Sequence, residues 1–245
     1  MSHYTGELVE ILLESHQNAS ARLLIPPEAL PAHGQYLQAH QAGNPDEVLP
    51  ISLFAAGPAE KQGSHLLLPV AGPLPAHWGP GTIVKLRGPL GKAFTLPRQL
   101  KRLALVALGA SPGRLLPLIH LALKASIEIA IFCDPPSLLP VGAQHTAPGA
   151  LPNLPLEVEQ QPLSTLPEAL AWADFLAMDI ALEKLELLPT LLSRESSAKP
   201  RGQALVHAPM PCGGLAQCGV CAFATPKGER LACEHGPVFE LASLL

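Results

Sequence analysis

"RLALVALGASPGRLLPLIHLALKASIEIAIFCD", Arg102 to Asp134, is where the chain changes period. Its opening "RLALVALG" is a continuous apolar run, the mark of a strand buried on both faces. Leu115, Leu118, Ile119 and Ala122 then fall at helical spacing. Pro117 within that segment should kink the helix or push its start later, because proline lacks the amide hydrogen. "IEIAIFCD" reads as a second buried strand. Strand, helix and strand make a βαβ unit and hence a parallel sheet.

Upstream, from Glu7 to Pro97, the text is different. "ELVEILLES", "ARLLIPP", "GQYLQAH", "LPISLFAA", "SHLLLPVAG" and "TIVKLRG" are short runs broken by "PAHG", "AGNPDE", "AGPAEKQG" and "WGPGT". That spacing predicts an antiparallel barrel or sandwich. Downstream, "LPEALAWADFLAMDI" and "ALEKLELLPTLLSRES" extend the α/β pattern by a further strand and helix. "SSAKPRG", Ser196 to Gly202, reads as a linker, and a small cysteine-bearing segment closes the chain. The expected domains are 1–98, a β-barrel; 99–200, a parallel α/β domain; and 201–245, a metal-binding module.

The 245 residues suffice for two domains or one large one with a real core. A net charge of −4 implies no basic face, which argues against nucleic acid as a partner. No apolar stretch reaches the roughly 18–20 residues that span a bilayer. "MSHYTGELVEILLES" carries acidic residues and no basic n-region, so it does not read as a signal peptide. A cytoplasmic location is therefore expected, where clustered thiols are metal ligands more often than disulfides.

Four of the five cysteines form the pattern Cys212-x5-Cys218-x2-Cys221-x11-Cys233. Thiolates suit soft metal centres. Gly213, Gly214, Ala216 and Gly219 lack bulk and let backbone N–H groups approach cluster sulfides. Three cysteines from one loop and a fourth from farther on match the plant-type spacing of a [2Fe-2S] centre, with one extra residue in the first gap. Structural zinc competes, although zinc modules usually offer two C-x2-C knuckles and only one exists here. Cys133, in "IAIFCDPP", reads as a small buried hydrophobe.

"CGGLAQCGVCAFATPKGERLACEHGPVF", Cys212 to Phe239, resembles the cluster module of the dihydroorotate dehydrogenase electron-transfer subunit family. These are ferredoxin-reductase-like proteins that include hydrogenase and sulfide dehydrogenase subunits. The closing C-x-x-G-P-V-F, Cys233 to Phe239, carries the likeness furthest. "HGQYLQAH" around Gly34-Gln35-Tyr36 is similar to the family's "PGQF" strand, and "LPISLF", Leu49 to Phe54, to its flavin-binding "RPISI" strand. "LRGPLGKAF", Leu86 to Phe94, is similar to "GPLGNGF".

The resemblance implies an N-terminal flavin-binding barrel, a central nucleotide-type α/β domain and a C-terminal [2Fe-2S] module. It implies FAD on Pro50, Ile51 and Ser52 at the ring, and on Arg87, Gly88, Pro89, Leu90 and Gly91 at the phosphates. It gives the metal to Cys212, Cys218, Cys221 and Cys233. Leu49 stands where the family has the arginine that pairs with the pyrophosphate. The glycine run after the first α/β strand is reduced to Leu108-Gly109-Ala110-Ser111-Pro112-Gly113. "FLAMDIALEKLELL" replaces the nicotinamide segment, and Asp179 within it would repel phosphate. These departures argue against NAD(P).

No acid–base or nucleophilic constellation stands out, so no catalytic residue is assigned. The expected function is that of an electron-transfer subunit, relaying electrons to or from a separate catalytic oxidoreductase subunit. The alternative is a non-enzymatic scaffold or assembly subunit that has lost nucleotide binding and keeps only the cluster.

Overall fold

The structure, a computed structural model, describes residues 2–13, 19–45, 49–109, 112–133, 158–192 and 201–245. The expected linker at 196–200 and the loop residues Ala110 and Ser111 lie outside that set.

The N-terminal strands are β1 (His3–Leu13), β2 (Ala19–Ile25), β3 (Tyr36–Gln41), β4 (Ile51–Ala55), β5 (Glu60–Gln62), β6 (His65–Gly72) and β7 (Ile83–Leu90). They pair antiparallel in the order β2-β1-β7-β3-β4-β6-β5, and β2 also pairs with β6. That last pairing closes six strands into a barrel, with β5 hanging from β6 as a hairpin. Closure removes the sheet edges that would otherwise invite aggregation. Alternate residues fill the interior, among them Leu8, Leu23, Leu37, Leu53, Leu68, Val84 and Leu86. Their neighbours on β3, β4 and β7 face outward, as the period of two requires.

The second sheet is built from β8 (Arg102–Leu108), β9 (Glu128–Cys133), β10 (Glu159–Gln161), β11 (Phe175–Ala181), β12 (Gly202–His207) and a later strand numbered below. β10-β9-β8-β11-β12 run parallel. Helix α1 (Leu116–Lys124) links β8 to β9, confirming the βαβ unit. A 3-10 turn at Pro112–Leu115 precedes it and Pro117 falls within its first turn. There the missing amide hydrogen costs no helical bond. Leu115, Leu118, Ile119 and Ala122 are buried together with Leu103, Leu105 and Ala107 of β8. The alternate set, Ala104, Val106 and Leu108, is buried on the other face against α2 (Leu166–Trp172) and α3 (Leu188–Leu192). β8 thus has no solvent face, which is why it reads as an unbroken apolar run.

Past β11 the expected helix over "ALEKLELL" is instead a 3-10 segment, Leu182–Leu187, leading into α3. α2, folded into the strand reading of "LPEALAWADFLAMDI", is a separate element before β11. After β12 come a cysteine loop, the hairpin β13 (Ala222–Thr225) and β14 (Gly228–Leu231), the short α4 (Ala232–His235), β15 (Val238–Glu240) and α5 (Leu241–Leu244). β15 pairs antiparallel with β12 at the edge of the second sheet. The segment 201–245 therefore shares its first and last strands with the α/β layer, and the cysteines lie between them.

Candidate metal centre at the junction of barrel and sheet

The outer wall of the barrel is laid out by strand register. Arg87 pairs with Gln38, which pairs with Ser52, and Tyr36 pairs with Phe54. Two parts of the chain cover this wall. The first is the turn Gly213–Gly214, just after Cys212. Both glycines take left-handed backbone, with φ of 64° and 76°. A Cβ on Gly213 would stand 3.1 Å from Arg87 Nη2 and 3.3 Å from Pro50 Cγ, and one on Gly214 would stand 2.6 Å from Tyr36 Oη. Only glycine satisfies both the dihedral and the space. The pair thus takes a bend within the first gap of the cysteine pattern.

The second cover is Arg114, from the turn after β8. Its guanidinium centre lies 5.6 Å from the Phe54 ring centroid. Arg114 also grips Asp179 of β11 with both oxygens, Nε–Oδ2 at 2.8 Å and Nη2–Oδ1 at 3.2 Å. Burial pushes the Asp179 carboxyl up, opposed by the Arg114 charge and hydrogen bond. The sequence reading took Asp179 for a bare charge at a strand end; the structure gives it a buried partner. His207, at the end of β12, meets Phe54 edge-on at 6.1 Å. Burial first, and then the charge of Arg114, bring its pKa down to about 3.

The residues assigned to FAD are divided by this arrangement. Ser52 is buried and accepts a hydrogen bond from Gln38 Nε2 at 2.9 Å. Tyr36 and Phe54 are buried as well, while Pro50 and Ile51 are half-buried. Gly91 is drawn to the C-terminal segment: Lys92 N donates to Gly236 O at 2.8 Å, and Gln35 Nε2 donates to Gly91 O at 2.9 Å. The Gly213–Gly214 turn and the Arg114 side chain lie against this wall, the turn beside Pro50, Arg87 and Tyr36 and the arginine over Phe54.

The cysteine site is better formed. No disulfide links the five cysteines. Cys218 acts on the Cys212 thiol, and Cys221 acts on the Cys233 thiol, so the four sulfurs lie in one neighbourhood. Cys221 and Cys233 are buried in the junction core with Tyr36, Met210 and Val238, whereas Cys218 is exposed. Backbone N–H groups aim at the sulfurs, those of Leu215, Gln217 and Cys218 at Cys212 and that of Ala216 at Cys233. Burial acts upward on Cys212, but these N–H groups and the Cys218 thiol outweigh it and bring its pKa down to about 6. Burial and the neighbouring Cys221 push Cys233 up to about 12. Among the described residues no three His, Cys, Asp or Glu side chains are gathered as a single metal ion needs. The donor set, four thiols on turns of small residues, is of the chemistry a two-iron centre would take.

Cys133 lies in the buried β9, as expected, and accepts from Gln160 Nε2 at 3.5 Å. His235, near the cysteines in sequence, accepts from Leu231 N through Nδ1 at 3.1 Å. The sequence reading passed over Tyr36, whose Oη is fully buried and has no hydrogen-bond partner among the described residues. The available signal was its hydroxyl, which the similar "PGQF" strand lacks. Among the described residues no helix is long and apolar enough to cross a membrane.

No family model matches the chain, and no curated protein matches it in sequence. Solved structures do match in fold. A NADH-dependent reduced ferredoxin-NADP oxidoreductase, studied for flavin-based electron bifurcation, superimposes with a TM-score of 0.73 at 13% identity. The match covers 97% of this chain and 88% of that one. The ferredoxin reductase of carbazole 1,9a-dioxygenase, in its FAD apo form, matches with a TM-score of 0.53 at 14% identity over 78% of this chain and 60% of its own. The ferredoxin-NADP+ reductase of Plasmodium falciparum matches with a TM-score of 0.53 at 9% identity, covering 80% of this chain and 91% of its own. The barrel joined to a parallel α/β layer is the ferredoxin-reductase-like fold.

Proposed function

We propose that this chain is a one-electron carrier in which Cys212, Cys218, Cys221 and Cys233 hold a [2Fe-2S] cluster. It relays electrons to or from a separate catalytic oxidoreductase subunit. The observation that supports the reading is the pattern Cys212-x5-Cys218-x2-Cys221-x11-Cys233, brought by the fold to one junction where Cys221 and Cys233 are buried and Cys218 reaches the surface. Three thiolates from one loop and a fourth from farther on suit two irons, whereas zinc modules usually offer two C-x2-C knuckles. The N–H groups of Leu215, Ala216, Gln217 and Cys218 would stabilise the more negative, reduced state. When bound, such a cluster supplies one-electron transfer.

The chain excludes water on the side of Cys221 and Cys233 and leaves Cys218 at the surface. Leu215 and Val220, both about half exposed, flank that surface and suit an apolar partner. The finer identity, a dihydroorotate dehydrogenase-type electron-transfer subunit, is supported by "CEHGPVF" after the last strand of the hairpin. A second reading adds FAD, and the observation in its favour is the likeness to flavin-dependent reductases.

The test is anaerobic purification, metal and acid-labile sulfide analysis, flavin extraction, and visible spectra before and after NADH. Two irons and two sulfides per chain, bleached by dithionite but not by NADH alone, are the expected result. Stoichiometric zinc would overturn the cluster. A cluster that no reductant bleaches would leave the scaffold reading. Stoichiometric flavin would establish the second reading.

A further inference from the structure

We propose that Tyr36 donates its hydroxyl as a hydrogen bond to a sulfur of the centre held by the four cysteines, and thereby raises its reduction potential. This rests on the [2Fe-2S] reading above. Tyr36 is the first residue of β3 and is fully buried. Its ring is fixed against Phe54, centroids 5.6 Å apart at 39°, so the hydroxyl has one direction in which to point. That direction is toward the cysteine loop, where Oη approaches the Gly214 backbone closely enough to exclude a Cβ.

Tyr36 is buried in one cluster with Cys221 and Cys233, and its Oη lies beside the turn that follows Cys212. Yet Oη has no hydrogen-bond partner among the described residues. A buried hydroxyl left unsatisfied bears an uncompensated desolvation cost, so a partner in the loaded protein is to be expected. In the loaded protein the acceptors at this junction would be thiolates and cluster sulfides, which would carry more negative charge after reduction. A donated hydrogen bond therefore favours the reduced state.

The experiment compares wild type with Tyr36→Phe, which keeps the ring and its packing on Phe54. Iron and sulfide are assayed first, in both proteins. Reduction potentials are then measured by redox titration, and Fe–S stretching bands by resonance Raman in H2O and D2O. In Tyr36→Phe with full iron content, the reduction equilibrium should fall about tenfold, about 59 mV for one electron. Part of the D2O-induced band shift should vanish. Equal potentials and equal isotope shifts in two fully loaded proteins would overturn the proposal and make Tyr36 a packing residue only. A wild-type protein with no iron would overturn the cluster reading, and this proposal with it. Should Tyr36→Phe fail to load, chemical reconstitution of both proteins supplies matched samples for the same two readouts.

Discussion

Gly214 lies where the cysteine loop and the barrel wall approach each other, and its φ of 76° is left-handed. An alanine there meets the backbone cost of that region and a Cβ placed 2.6 Å from Tyr36 Oη. The first effect is of order 1–3 kcal/mol, and the second forces the tyrosine or the loop to move. Gly214→Ala should therefore lower the unfolding free energy by about 2 kcal/mol and reduce iron loading, read by denaturant titration and metal assay. Gly219 offers a control, since a Cβ there meets nothing within 4 Å. Its left-handed φ of 70° retains the backbone cost alone. The cysteines divide in a similar way. Cys221 is 1% exposed in the junction core, whereas Cys218 is at the surface. In the metal-free protein, Cys218→Ala should stay within about 0.5 kcal/mol of wild type, and Cys221→Ala should lose about 1 kcal/mol or more. Both should abolish iron binding. Equal stability losses would show that the two thiols do not differ in burial.

Among the elements, β12 ends on the residue most sensitive to acid. His207 is held neutral, its pKa brought down to about 3 by burial and by Arg114. Unfolded, the same imidazole takes up a proton near 6.5. Between those values the unfolded chain binds the extra proton, so stability rises with pH and is lost as pH falls through the window. The slope is at most about 1.4 kcal/mol per pH unit. Urea unfolding between pH 7 and pH 4 should show this decline, and His207→Gln should flatten it; parallel profiles would rule His207 out as the source. The sequence set His207 near the cysteines but not in this environment, which is made by Phe54 of β4 and Arg114 of the α1 approach, both distant in the chain. The elements themselves were more legible. β8 and α1 were readable because burial on both faces and a one-sided helix leave periodic traces over many residues. β5 was not, since three exposed residues in a hairpin carry no apolar pattern. The 3-10 segment after β11 shares its composition with an α-helix, so only packing distinguishes the two. The cysteine spacing carried the expectation of a metal site, while the cover of the cysteine loop and the placement of the Tyr36 hydroxyl arise from contacts between β3, β4, β7 and the loop.

At the scale of the whole molecule, the barrel and the α/β layer are joined across a charged pair. Arg114 and Asp179 are both nearly or fully buried, bonded through two contacts, and capped by Phe54 from the barrel. The same C-terminal ends of parallel strands are where open α/β sheets bind ligands. Here the chain's own side chains occupy that edge beside β8 and β11. Such a pair is weakly stabilising as a whole, because desolvation offsets most of the Coulomb attraction, yet breaking it strands a charge. Asp179→Leu should therefore cost about 3–5 kcal/mol by leaving the guanidinium alone, and Arg114→Met a similar amount by leaving the carboxylate alone. The double variant Arg114→Met, Asp179→Leu should recover most of the loss, since two apolar side chains of similar volume remove both stranded charges. Denaturant unfolding of the four proteins forms a double-mutant cycle. A coupling of several kcal/mol means the pair acts as one unit clamping barrel to sheet. Additive losses would instead mean that each residue is held by other neighbours, and the junction would then owe its closure to Phe54, His207 and the cysteine loop.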